Sequence, residues 1–338
     1  MSRYAEVFKF SNLKGPGDAR PTALQVIKDE GLENKLQDKV FLVTGVSAGI
    51  GSETLRALYL TGATVYGTVR DVQKGQKVVD DILANNKSDG KIELIEIDLN
   101  SLDSVRKGAE DFLKKSGGKL NLLINNAGIM AVPFSKTKDG FESQFGVDHI
   151  AHFLLFQLVK DALLNSATPE YPSRVVNVAS SGHKMGQVRV DDYNFEKGDY
   201  NEWASYGQAK CANVWMANSI ERHYGAKNLH ATSLQPGFVV GTDLGSHLDP
   251  ASTEAMFGTP EWQAYAKNVE QGAFTQVYAG LSEEWKHKGG KYLAEGVAQP
   301  LAKKEGANPD DDGHAPWAYD EAGEERLWQD SLRFVGLA

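Results

Sequence analysis

The chain has 338 residues, 41% of them hydrophobic and 24% charged, with one cysteine and a formal charge of −9. This size and balance suit a globular α/β chain that buries its own core, and exclude a disordered polymer, a collagen-like chain or a disulfide-stapled miniprotein. The net acid argues against a nucleic-acid binder, whose affinity rests on Lys and Arg, and the single Cys211 excludes an internal disulfide.

Residues 1–37 read as an N-terminal extension. The opening MSRYAEVFKF lacks the apolar core of a secretory signal, Lys14-Gly15-Pro16-Gly17-Asp18 is a breaker cluster, and Leu24, Ile27 and Leu36 offer a small apolar stripe. From residue 38 a different register begins. Strand-like apolar runs fall at 40–43, 63–69, 92–97, 120–124, 175–179 and 229–234, with helix-like segments between nearly all of them. That alternation predicts a single α/β domain over 38–338, a doubly wound parallel sheet of the Rossmann type. Its ligands would bind at the strand C-termini.

The most apolar stretch, 150–164, is interrupted by His152, Gln157, Lys160 and Asp161 and is too short and polar to span a bilayer. A cytoplasmic protein is therefore expected. His149 and His152 lie beside Asp148 without a third ligand at suitable spacing, so no metal site is expected. Residues 305–325 hold eight acids and no Lys or Arg, and read as a solvated surface segment. The last helix should dock Leu327, Trp328, Leu332 and Phe334 on the domain.

Thr44-Gly45-Val46-Ser47-Ala48-Gly49-Ile50-Gly51 joins the first strand to the first helix. Glycines there allow a tight turn and bring a pyrophosphate to the amides of a helix N-terminus. At the end of the second strand Val69 stands where an acid would take a ribose hydroxyl, and Arg70 follows. An Arg there accommodates a 2′-phosphate, which favours NADP(H) over NAD(H), although a shift of one residue would bring in Asp71. Tyr206 and Lys210 are spaced i, i+4, so phenol and ammonium share one helix face, and a nearby cation favours the phenolate.

Taken in order, the TGxxxGIG turn, Asn125-Asn126-Ala127-Gly128, Ser180, Tyr206/Lys210 and Pro236-Gly237 resemble the short-chain dehydrogenase/reductase family over about 38–338. YGQAKCAN at 206–213, HIAHFLL at 149–155 and the tail Arg326-Leu327-Trp328 look most like its retinol-dehydrogenase-like and protochlorophyllide-reductase-like members. The resemblance implies Tyr206 as proton donor or acceptor, Lys210 on the nicotinamide ribose and Ser180 orienting the substrate oxygen. It places Gly45, Ser47, Ile50 and Gly51 along the pyrophosphate, Arg70 at the 2′-phosphate and Asp98-Leu99 at the adenine. Asn126-Ala127-Gly128 would pass under the adenine-side ribose. Pro236, Gly237, Val239 and Thr242 would border the nicotinamide.

One position departs from the family pattern. Where the family has a water-holding asparagine in the central helix, this chain has Asp148. A carboxylate near Lys210 favours the ammonium and opposes a phenolate, which suits reduction better than oxidation. A substrate lid is expected over about 241–268, where Phe257, Trp262 and Tyr265 suggest a bulky apolar or aromatic small molecule. The expected function is NADP(H)-dependent hydride transfer to such a carbonyl. The rivals are a retasked member catalysing a non-redox isomerisation or cyclisation, and a non-catalytic NADP(H)-binding protein. The sequence leaves open whether the chain forms a homo-oligomer.

Overall fold

A computed structural model describes residues 3–338. The strands are β1 (Val40–Thr44), β2 (Thr64–Val69), β3 (Lys91–Glu96), β4 (Leu122–Asn125), β5 (Ser173–Val178), β6 (Leu229–Leu234), β7 (Lys291–Ala294) and β8 (Val297–Ala298). The helices are α1 (Ala23–Asp29), α2 (Gly49–Leu60), α3 (Val72–Asn85), α4 (Leu102–Ser116), the short α5 (Ser143–Phe145), α6 (Ala151–Ser166), α7 (Glu202–Tyr224), α8 (Pro250–Phe257), α9 (Pro260–Tyr265), α10 (Val269–Gly272), α11 (Phe274–Leu281) and α12 (Glu321–Phe334).

The strands form one sheet in the order β3-β2-β1-β4-β5-β6-β7-β8, parallel except for the β7–β8 pair. Strand order reverses between β1 and β4, so their C-terminal ends diverge into a crevice. The six expected strands are all present within two residues of their expected ends. The β7–β8 hairpin was not expected. Its strands, four and two residues long and too short for a legible alternation, follow Gly290 and are joined by the positive-φ turn at Glu295-Gly296.

Successive strand residues face opposite sides, giving two cores. On one face Leu42, Leu123 and Val175 meet Phe112, Phe153, Trp215 and Trp328, from α4, α6, α7 and α12. On the other, Phe41, Val43, Ile124 and Val176 meet Ile27, Leu55, Val79 and Phe274, from α1, α2, α3 and α11. The predicted docking of the last helix is therefore observed, with Leu327 and Trp328 buried and Leu332 and Phe334 packed at the margin.

The acidic stretch does not behave as a uniformly solvated segment. Glu324 is 2% exposed, accepting from Asn218 Nδ2 at 2.7 Å and pairing with Arg222. Asp312 accepts from the Tyr265 hydroxyl at 2.6 Å. A buried carboxylate requires such partners, and here they come from distant parts of the chain. Among the described residues no helix is long and apolar enough to cross a membrane.

Candidate active site

The glycine turn sits directly at the crevice. Gly45 has φ +73°, and a Cβ there would come within 2.7 Å of Ala127 Cβ; one at Gly51 would lie 2.1 Å from Gly45 O. Thr44 ties the turn to the end of β4. Its hydroxyl oxygen accepts from the amides of Asn126 (2.9 Å) and Ala127 (3.0 Å), while Asn126 Nδ2 donates to Thr44 O at 2.9 Å. The Thr44 hydroxyl proton is then left for His152 Nε2 at 2.8 Å, so His152 Nδ1 donates to Asp148 O at 3.0 Å. Burial pushes the His152 imidazole down to about 4, so it is a neutral post. Ser47 and Ile50 are half-buried in the turn and the first turn of α2, whose amides have no intrahelical acceptor.

Arg70 is exposed at the C-terminal end of β2. Asp71, which follows it, is the cap of α3 and accepts from Lys74 N at 3.0 Å. Asp98 accepts from Asn100 N and pairs with Lys138 at 3.0 Å, and Leu99 beside it is half-buried.

The second half of the site is built on α7, which is buried on all sides over most of its length because it runs between β5–β6 and α12. It brings Tyr206 and Lys210 under the end of β5. Before α6 the chain makes a wide turn over Gly146–Ile150, with Ala151 N donating to Gly146 O, and this places Asp148 against Lys210. Asp148 Oδ2 is 2.9 Å from Lys210 Nζ, and Oδ1 accepts from Ile129 N at 2.9 Å. Lys210 also donates to Val178 O at 3.4 Å, and its ammonium is 5.5 Å from the Tyr206 ring centroid. Gly128 passes so close that a Cβ would lie 3.0 Å from Lys210 Nζ and 3.1 Å from Asp148 Oδ2.

Ser180 caps a short turn, its Oγ accepting from Gly182 N at 2.9 Å. The Tyr206 ring packs on Gly182, where a Cβ would be 2.7 Å from Cε1 and 3.2 Å from Ser180 Oγ. His183, not singled out by its sequence context, fixes this turn. Its Nε2 accepts from Ala315 N at 3.0 Å, so Nδ1 donates to Ser180 O at 2.6 Å.

Residues 39–253 match the family described as short chain dehydrogenase. The chain is 46% identical to the short-chain dehydrogenase/reductase prx1 of Penicillium roqueforti, covering 99% of this chain and 96% of that protein. It is 33% identical to mouse retinol dehydrogenase 12, over 90% of this chain and 88% of that one. A crystal structure of an uncharacterised Mycobacterium paratuberculosis protein superposes with a TM-score of 0.64 at 28% identity, covering 97% of both chains. The chain belongs to the short-chain dehydrogenase/reductase family. It is an NAD(P)-dependent oxidoreductase.

In this short-chain dehydrogenase/reductase the cleft fits its dinucleotide: glycines stand where side chains would block the turn, and Gly128 leaves room beside Lys210 and Asp148. Burial raises the Tyr206 phenol above its ordinary value, with Lys210 and Ser180 opposing and Asp148 adding to the rise. Burial likewise raises Asp148, against the pull of Lys210. Burial alone would lower Lys210, but Asp148 and Tyr206 outweigh it and hold the ammonium.

At the other end of the cleft, Gly237 has φ +95° and lies on the Lys267 side chain, whose Nζ donates to Pro236 O at 2.8 Å. Lys267 N bonds Phe238 O, and Val240 N bonds Lys267 O, so the segment 241–266 leaves and returns at one point beside Val239. Thr242 lies over Gly49. From this segment Phe257 stacks on Phe238 at 4.9 Å and meets Trp262 edge-on at 5.1 Å. The N-terminal segment braces its return limb: buried Arg20 pairs with Asp18 and donates to the carbonyls of Tyr265 and Ala266. Neither Lys267 nor Arg20 carried a sequence signal, because each acts through backbone carbonyls remote in the chain.

Proposed function

We propose that this enzyme is an NADP(H)-dependent reductase that protonates the carbonyl oxygen of a bulky apolar or aromatic substrate through Tyr206. The observation that carries the reading is the buried, raised phenol of Tyr206 beside an ammonium held by Asp148. A phenol that keeps its proton is poised as an acid. When bound, the dinucleotide supplies hydride at its nicotinamide; all proton chemistry falls to the chain.

The Ser180 oxygen accepts from Gly182 N, leaving its hydroxyl proton to donate to the carbonyl oxygen. Tyr206 gives its proton to that oxygen as negative charge develops there. Lys210 stabilises the phenolate left behind, and Asp148 keeps Lys210 charged and in place. For the cofactor, Gly45, Ser47, Ile50 and Gly51 would hold the pyrophosphate, and Asn126, Ala127 and Gly128 the neighbouring ribose. Pro236, Gly237, Val239 and Thr242 would border the nicotinamide. Exposed Arg70 would take the 2′-phosphate, a preference supported by the engagement of Asp71 in its cap. The aromatic lid and the relative named retinol dehydrogenase 12 support an apolar substrate.

The test is NADPH consumption against a panel of bulky aromatic and terpenoid carbonyls, with Tyr206→Phe alongside. The expected result is turnover by the native enzyme, its loss in Tyr206→Phe, and retained NADPH binding in both. A non-redox isomerisation or cyclisation is the second reading, favoured by the commitment of Lys210 to Asp148. It predicts a product of unchanged mass and no net NADPH consumption.

A further inference from the structure

The C-terminal part of the chain reaches back to the turn that carries Ser180. That turn, Ser181–Lys184, follows β5, and residues from 311–317 hold two of its members. Ala315 N donates to His183 Nε2 at 3.0 Å, the Trp317 indole Nε1 donates to His183 O at 3.0 Å, and Lys184 Nζ donates to Asp311 O at 2.7 Å. His183 is fully buried, its ring 4.6 Å from that of Tyr292 on β7. Asp311, Ala315 and Trp317 all lie beyond 39–253, the stretch that matches the family.

The contact has a direction. A backbone amide only donates, so His183 Nε2 is an acceptor and the ring proton sits on Nδ1. Nδ1 then donates to Ser180 O at 2.6 Å, beside the His183 amide, which donates to the same carbonyl at 3.1 Å. The Ser180 Oγ accepts from Gly182 N at 2.9 Å, so the serine is fixed through both its carbonyl and its side chain. The Tyr206 ring packs on Gly182 in the same turn.

We propose that His183 is a positioning residue of the reaction: it transmits the placement of 311–317 to Ser180, so that this segment sets the angle at which the serine hydroxyl meets the substrate oxygen. The proposal rests on the reading of Ser180 as the residue that orients that oxygen. With no exposed surface, His183 acts through the turn and not by touching substrate. A slightly displaced turn misdirects the hydroxyl while the body of the substrate and the dinucleotide keep their contacts, so the cost falls on kcat.

The test is a double-mutant cycle of His183→Phe and Ser180→Ala in the full chain, read with NADPH and the fastest-reacting carbonyl of the panel. His183→Phe keeps a ring against Tyr292 and removes both side-chain hydrogen bonds. It is expected to lower kcat about tenfold, the scale of a small misplacement beside the reacting atoms, with substrate KM and NADPH affinity within about twofold of native. In the Ser180→Ala background the same change should cost little, because the hydroxyl it aims is gone; a merely structural role lowers both backgrounds alike. Trp317→Phe removes only the indole donor to His183 O. It should give a smaller loss with the same dependence on Ser180, and it keeps the cycle decisive should His183→Phe fold poorly. Nitrogen-15 NMR of the native enzyme should place the His183 ring proton on Nδ1, the signal being assigned by its loss in His183→Gln. Failure of every carbonyl to be reduced counts against the reductase reading; the tautomer, and hydrogen exchange at residues 180–186 raised in both variants, then test the hold on the turn without substrate. A ring proton on Nε2, native exchange or native kcat in the folded variants, or an equal loss in both serine backgrounds would each overturn the proposal.

Discussion

Asp148 and Lys210 form a buried ion pair, 2.9 Å from Oδ2 to Nζ, with the backbone at Gly128 pressed against both partners. The pair comes from the wide turn before α6 and the middle of α7, so the Lys210 ammonium is fixed by a carboxylate on a different element. Asp148 also acts on the phenol, raising Tyr206 further. Asp148→Asn removes that charge. The apparent pKa of the acid–base group should fall, leaving more phenolate at neutral pH. Alcohol oxidation should then improve near pH 7, while the alkaline limb of reduction moves to lower pH. The pH–rate profile in both directions checks this; loss of turnover in both would make Asp148 a proton carrier instead.

Arg70 is exposed at the end of β2, and the neighbouring Asp71 carboxylate is engaged as the cap of α3. Arg70→Ala should weaken NADPH by about 1.5–3 kcal/mol, the scale of a charge-assisted contact, and leave NADH nearly unchanged. Parallel titrations with the two dinucleotides decide it. Equal losses would move the 2′-phosphate site elsewhere.

Buried histidines make the fold acid-sensitive. Burial lowers His183 and His152 to about 4 and His149 to about 3. Between those values and about 6.5 the unfolded chain takes up protons that the native chain refuses, so stability falls as pH falls through this window. Asp312 works the other way, since burial and Glu295 raise it to about 6, and the native state binds its extra proton between about 4 and 6. Near pH 5 each histidine contributes a slope of about 1.4 kcal/mol per pH unit. His183→Gln should flatten the slope by about that amount, read from urea midpoints at pH 5 and pH 6.

Arg20 is 3% exposed and supplies donors to several backbone carbonyls. Arg20→Met keeps the bulk and orphans those carbonyls together with Asp18. The loss of one partner of a buried pair sets the expected cost at about 3–5 kcal/mol. A loosened return limb should also raise the substrate KM while NADPH affinity holds. Unfolding midpoints and steady-state kinetics measure the two effects separately.

Much of this was legible because it is local. Six strands appear as apolar runs between turns, and the i, i+4 spacing of Tyr206 and Lys210 puts them on one helix face. The position of Asp148 opposite Lys210 agrees with the register read from Phe145-Gly146-Val147-Asp148-His149. What stayed hidden depends on long-range closure. Glu324 looked like one acid among eight until Arg222 and Asn218 met it, and His183 gained its role from the amide of Ala315. The β7–β8 hairpin is too short to register as a pattern, although it carries Glu295 between its strands.

The Arg20 brace also bears on how such enzymes are recombined. The return limb of 241–268 ends on carbonyls held by a residue some 245 positions earlier in the chain. A chimera that exchanges 241–268 alone inherits a cover without its anchor, and one that exchanges 3–37 alone inherits an anchor aimed at foreign carbonyls. The unit of exchange is the two segments together, although nothing in their linear distance marks them as one part.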